Sequence, residues 1–171
     1  MANRRFRDAA GSTKYAQAEG AGTDADPFVD ATGAAFTLAA SAAVTPVVGA
    51  LGTAVTINGK WRDLIIVCHY TLKGTDAGDT CDVFIDVLVG STWLNAICFT
   101  RALGNGTDVQ IEFAKLGSNV TGAATVTATA DCASGVVRPS MIGSQIRARW
   151  TVVNTSTADA SFTFSVTGYG I

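Results

Sequence analysis

Apolar and polar side chains alternate with a period of two along most of the chain from Trp61 onward. This is the period of a β-strand, in which successive side chains point to opposite faces. Residues 64–72 are apolar on both faces, as in a central strand, whereas residues 145–152 and 161–167 have one apolar and one polar face, as antiparallel sheets do. One face of the first strand carries Leu64, Ile66, Cys68, Tyr70 and Leu72.

The same period predicts further strands. Residues 81–89 lead through the turn residues Gly90 and Ser91 into residues 93–100, which predicts a hairpin. Shorter or weaker strands are predicted at 35–39, 55–57 and 109–113 and in the Thr/Ala-rich run 121–130. In 109–113, Val109, Ile111 and Phe113 alternate with Gln110 and Glu112. About eight to ten short strands without a helical stripe predict an all-β fold, an antiparallel two-sheet sandwich that is jelly-roll-like, with an extended N-terminal arm.

The arm is predicted at residues 1–30 and the β-sandwich body at residues 31–171. Four basic side chains stand against one acidic side chain up to Lys14, and a Gly/Asp/Pro-rich stretch follows at residues 20–30. An arm that becomes ordered on a partner can wrap a large surface, and Pro27 restricts Asp26 to an extended backbone. We expect the partner-binding residues of the arm to be Arg4, Arg5, Phe6, Arg7, Tyr15, Pro27 and Phe28.

The composition points to assembly. Charged residues make up 15% of the chain, against about 25% in an ordinary soluble domain. A surface so poor in charge favours an oligomer or a lattice component, whose neighbours cover much of it. The net charge of −2 provides no basic field for nucleic acid.

We expect neither a secretory signal nor a membrane span. The stretch from Asp8 to Glu19 has no apolar core segment to follow the N-terminal arginines. The uncharged run 31–59 is long enough for a bilayer, but it consists mostly of Ala, Thr, Gly and Ser and contains Pro46. An extended arm followed by early strands is the interpretation that this composition favours.

No residues with catalytic spacing are present. The cysteines Cys68, Cys81, Cys98 and Cys132 form no C-x-x-C pair, and His69 is the only histidine, so there is no zinc pattern. Buried reduced thiols are expected, with a Cys68–Cys81 disulfide across a hairpin as the alternative. Because neighbours on a strand point to opposite faces, Cys68 and His69 form no nucleophile pair, and His69 is expected to pack within the sheet. We therefore expect no catalytic residue, no cofactor and no enzymatic activity.

The acidic residues offer only a weak metal site. Asp76 and Asp79 lie in a loop and are a weak Ca²⁺ candidate, although the EF-hand glycine and terminal glutamate are missing. Asp82 and Asp86 share a strand face, so they need basic partners such as Arg101 or an ion. Residues Arg147 and Arg149 are interpreted as either docking or ion-pair residues.

Two short stretches resemble small structural proteins of tailed bacteriophages: AEGAGTDADPFV at residues 18–29, and TCDVFID at 80–86 followed by STW at 91–93. The resemblance implies a virion protein, best a capsid decoration (cement) protein with a β-sandwich body and an arm. It implies as partners the major capsid protein and further copies of the chain, as a homotrimer. The location that it implies is the capsid surface, after assembly in the cytoplasm of the host bacterium.

The alternative function is a receptor- or carbohydrate-binding β-sandwich module of a phage fibre, neck or tail. Such a module needs an exposed aromatic platform. Trp150 lies on an apolar strand face and is expected in the core, whereas Trp61 and Trp93 lie near strand ends and are freer to bind a ligand.

Overall fold

A computed structural model of the 171-residue chain describes residues 4–7, 13–16, 34–57, 61, 63–74, 76–105, 109–117, 130–138, 142–155 and 162–170. The chain divides into two compact units, Met1–Gly33 and Ala34–Ile171. The arm predicted at residues 1–30 falls within the first unit.

In the described residues of the first unit, 4–7 and 13–16, there is one pair of short strands. Strand β1 (Arg4–Arg7) runs antiparallel to β2 (Thr13–Ala16), with Arg4 opposite Ala16. The sequence pattern does not predict these strands, because four residues are too few for the period of two to be recognised. Pro27 and Phe28 lie outside the described residues.

The second unit consists of strands and their connections, and none of its described residues is helical. All of the strand pairs are antiparallel. Its strands are β3 (Ala35–Val44), β4 (Val47–Leu51), β5 (Val55–Thr56), β6 (Asp63–Leu72), β7 (Thr80–Val89), β8 (Thr92–Cys98), β9 (Ala102–Leu103), β10 (Gln110–Gly117), β11 (Val136–Val137), β12 (Gln145–Val153) and β13 (Phe162–Gly170).

These strands form two sheets. The four-stranded sheet has the order β10-β6-β13-β3, and the seven-stranded sheet has the order β11-β8-β7-β12-β4, with β5 also paired to β12 and β9 to β7. The chain changes sheet after β3, β5, β6, β9, β10 and β12, so that the two sheets close on one core. The predicted antiparallel two-sheet sandwich is confirmed, and β6 is an inner strand as its two apolar faces predicted.

The core lies between the inner faces of the sheets. On the four-stranded side the alternate residues Leu64, Ile66 and Tyr70 of β6 are fully buried, and they meet Val83 and Ile85 of β7 from the other sheet. Each large apolar side chain removed from water stabilises the fold by about 1.5–3 kcal/mol. This shared core holds the outer faces of both sheets in fixed positions.

Three features differ from the sequence pattern. The apolar residues Val109, Ile111 and Phe113 point outward and are 58–80% exposed, because the register of β10 directs Ala114 and Leu116 into the core. The pattern missed β4 altogether, and β3 continues to Val44 rather than ending near residue 39. Leu72, at the end of β6, is 54% exposed. The predicted strand at 121–130 lies outside the described residues except for Ala130.

Candidate functional site

The outer face of the seven-stranded sheet carries a buried polar network centred on Asp86. The Asp86 carboxylate accepts hydrogen bonds from Arg149 Nε, at 3.1 Å, and from Asn95 Nδ2, at 3.3 Å, and it also pairs with Arg147 at 3.6 Å. The sequence is compatible with either docking or ion-pair roles for these arginines, and in the structure both form ion pairs with Asp86. Both side chains are only 19% exposed.

Residues 130–138 lie over this network. The backbone N–H and the thiol of Cys132 both donate to Asn95 Oδ1, Arg138 donates to the Asn95 carbonyl, and β11 pairs with β8. Phe84 and Cys98 of the sheet form a small apolar cluster with Cys132 of this segment. We call the outward side of β7, β8 and β12, together with residues 130–138, the covered face. These interactions hold residues 130–138 against the outer surface of the sheet.

The acidic residues do not come together. Asp82 makes a bidentate pair with Arg101, with both bonds at 2.8 Å, as the sequence analysis considered, and this partner raises the pKa of Arg101. Asp79 is fully buried and accepts hydrogen bonds from the backbone N–H and hydroxyl of Thr155. Asp76 lies in the same turn, where its carbonyl accepts from Asp79 N–H. Within the described ranges no group of three or more His, Cys, Asp and Glu side chains could hold a metal ion.

The thiols are buried and free. Cys68 and Cys81 belong to different sheets, so the hairpin that a disulfide between them required does not exist, and both remain reduced. Tyr70 belongs to the same buried core cluster as both of these thiols. Burial raises the pKa of Cys81 to about 12 and that of Cys98 to about 12, so these thiols are poor nucleophiles.

His69 lies on the outer side of β6, opposite Ile111 on one neighbouring strand and Ser165 on the other. Cys68 points to the inner side and is fully buried. The two side chains therefore diverge, as the period of two predicted.

The tryptophans are packed. Trp150 makes an edge contact with the Phe164 ring at 5.5 Å, as predicted for a core residue. The two tryptophans that were expected to be freer are half-buried: Trp61 stacks on Phe36 at 5.2 Å, and the Arg147 guanidinium lies 4.0 Å from the centre of the Trp93 ring. Neither is a free aromatic platform.

The outer side of the four-stranded sheet carries exposed apolar side chains among hydroxyl-bearing ones. Its rows cross the sheet in register, and the central row joins Phe113, Val67, Thr167 and Thr37 on four successive strands. Phe113 is 80% exposed, and Tyr169 in the next row is 42% exposed. We call this side, with its outward residues on β3, β6, β10 and β13, the open face. The Lys115–Asp63 pair, at 2.9 Å, lies at one end of it.

A groove runs between the two sheets where β3 and β4 form their edges. It has a volume of about 300 Å³. None of its lining residues is charged, although polar atoms contribute to its walls, and the sequence signal for it was the uncharged run 31–59. We call it the edge groove; its lining residues are Leu38, Ala39, Ala40, Ala42, Val44, Leu51, Gly52, Thr53, Trp150 and Phe164.

The predicted arm residues are placed only in part. Arg4, Arg5, Phe6 and Arg7 lie on β1, and Tyr15 lies on β2 opposite Arg5. Their role in binding a partner stays a prediction. In the described part of the chain there is no helix long and apolar enough to cross a membrane.

No family model and no curated protein sequence matches this chain. Among solved structures, the chain is similar to one titled "Structure of infectious bursal disease virus Gx strain", with 10% identity and a TM-score of 0.47. The match covers 80% of this chain and 31% of that chain, so this protein spans less than a third of the matched chain.

Proposed function

We propose that this protein is a virion structural protein, a capsid decoration or cement protein that bridges and stabilises major capsid subunits through its N-terminal arm and β-sandwich body. The observation that carries the proposal is the open face. It presents exposed apolar side chains, with Ile111 58% and Phe113 80% exposed, beside the hydroxyl-bearing side chains of β13.

One part of the open face has the composition of an interface centre. Aromatic and aliphatic side chains are enriched at the centre of protein interfaces, and charged side chains are depleted there. Phe113, Ile111 and Val67 form such a centre, whereas the Lys115–Asp63 ion pair lies at the margin. Exposed apolar patches of this kind mark interaction sites on soluble proteins. A capsid surface supplies a repeated partner for such a face.

The arm supplies a second attachment in the proposal. Its first fourteen residues contain Arg4, Arg5, Arg7 and Lys14, which complement an acidic groove on a capsid subunit. Two linked attachments raise the overall affinity above that of either one, because the second binding step is intramolecular. The sandwich then bridges subunits while the arm fastens it.

The experiment is attachment to purified shells that lack this protein, imaged by electron cryomicroscopy. We expect ordered density for the wild type. Deleting residues 1–30 and substituting Phe113→Ser should each reduce the occupancy strongly while thermal unfolding of the body stays nearly unchanged. Leu103→Ser is the matched control, because Leu103 is 58% exposed but belongs to the other sheet. Shells without ordered density would refute the proposal.

A further inference from the structure

Strands β3 and β4 and the residues that flank them form an uncharged border of the sandwich. Residues 34–57 include no Asp, Glu, Lys or Arg. In the described topology β3 ends the four-stranded sheet and β4 ends the seven-stranded sheet. Terminal strands carry backbone groups that can pair with another chain, and charged side chains are a usual protection against this. This border has no such charges.

The edge groove lies between these two strands. Its volume of about 300 Å³ is at the lower end of the range for binding pockets. Ala40 and Ala42 on its rim are small and exposed, so they let another backbone approach closely. The groove therefore fits the side chains of one extended strand.

Beside the groove, β4 projects apolar side chains into solvent. Val48 is 85% exposed, Leu51 is 54% exposed, and Val47 is 36% exposed. The edge groove and the exposed side chains of β4 thus lie on the same border, and neither carries a charge. A surface that carries both parts can engage a second copy of itself, either reciprocally or head to tail.

We propose that the edge groove is a self-association surface that receives strand β4 of a second copy of this chain. Charge favours this occupant, because a charged segment entering the groove would lose its hydration without gaining an ionic partner, whereas the β4 border is neutral. Pairing of the terminal strands adds main-chain hydrogen bonds. The inference deepens the proposed assembly function, on which it rests, by naming the contact between copies.

The test is the mass of the purified protein in solution, measured by sedimentation velocity and native mass spectrometry. We expect the wild type to exceed the monomer mass. Val48→Lys should weaken association about tenfold or more, because it places an unpaired charge in the contact. Val109→Lys is the matched control: Val109 is also an exposed valine, 61% exposed, but it lies beside β10 at the opposite border. It should leave the mass unchanged.

A second variant keeps the proposal testable if Val48→Lys fails to fold. Ala42→Leu fills the groove without adding charge, and it should also lower the mass. A monomeric wild type at its highest soluble concentration would overturn the proposal, and so would dissociation by Val109→Lys but not by Val48→Lys or Ala42→Leu. Wild type that decorates shells as a monomer removes this inference and leaves the proposed function. Association that depends on Val48, without attachment to shells, supports this inference and refutes the proposed function.

Discussion

The outer faces of the two sheets differ in which side chains they bury and which they expose. On the covered face Arg149 and Asn95 both donate hydrogen bonds to the Asp86 carboxylate, and residues 130–138 lie over them. On the open face Phe113 and Ile111 stand in solvent. The chain thus encloses polar groups at one outer surface and exposes apolar groups at the other.

This difference separates stability from interaction. A buried ionic network is costly to break, because each deleted member leaves its partners unpaired. An exposed apolar side chain contributes little to folding, since it has lost little contact with water. We therefore expect substitutions on the covered face to unfold the protein, and substitutions on the open face to change only its associations.

The sharpest contrast is between two phenylalanines. Phe84 on the covered face is 8% exposed beneath the Arg149 guanidinium, which lies 4.3 Å from its ring centre. Phe84→Ala should lower the free energy of unfolding by about 3 kcal/mol or more. Phe113→Ala should change it by about 0.5 kcal/mol or less. Urea denaturation measures both values, and equal losses would show that the two faces do not differ as described.

The next contrast is between two carboxylates that share a partner. Asp86→Ala should cost about 3 kcal/mol or more, because Arg149 and Arg147 lose their buried counter-charge. Asp131 also pairs with Arg149, but its side chain is 45% exposed. Asp131→Ala should cost about 1 kcal/mol or less. Chemical denaturation of both variants in parallel measures the two losses in the free energy of unfolding. A small loss for Asp86→Ala would contradict the central role of this residue.

A smaller effect is expected at the attachment of residues 130–138. Asn95→Ala removes the acceptor for the Cys132 backbone N–H and the donor to the Ile97 carbonyl. Unsatisfied buried groups cost about 1–3 kcal/mol. Hydrogen–deuterium exchange at Cys132 should accelerate, whereas the exposed Thr92→Ala on the same strand should leave it unchanged. Unaltered exchange in Asn95→Ala would mean that this segment is held by other contacts.

The smallest effect concerns alkaline pH. Burial raises the pKa of the Cys98 thiol from 9.0 to about 12, so the folded protein keeps a proton that the unfolded chain releases. The stability that this contributes is complete below pH 9 and is lost as the pH rises toward 12. Between pH 8 and pH 10 the wild type should lose about 1 kcal/mol more than Cys98→Ala. Parallel losses in urea denaturation would show that this thiol titrates alike in both states.

The alternation of side chains was sufficient to find the long strands. It located β6, β7, β8, β12 and β13, because each of these strands buries alternate residues in one core. Most of the predicted strand ends lie within about two residues of the observed ends. It failed where a strand faces water on its apolar side: for β10 it found the strand but not which face is buried. It also missed β4, whose exposed Val48 and flexible Gly49 (φ 67°) break the pattern.

The candidate surfaces were less accessible to prediction. Asp82 and Arg101 were correctly suggested as partners, but Asp86 and Asp131 meet at Arg149 only because residues 130–138 fold back over β7 and β8. Nothing in the spacing of Asn95 and Cys132 indicates that they bond to each other. The edge groove had one sequence signal, the absence of charge in residues 31–59, and that signal did not indicate where in the fold a groove would form.

The sequence by itself determined the strand period, the all-β class and the scarcity of charge, because these depend on neighbours along the chain. Only the tertiary structure decided which face of each sheet is covered and which edges lie together. The physical reason is that a period of two defines two faces without saying which one meets the core. That choice depends on the register between strands that are distant in the sequence, and here it left Phe113 and Val48 exposed.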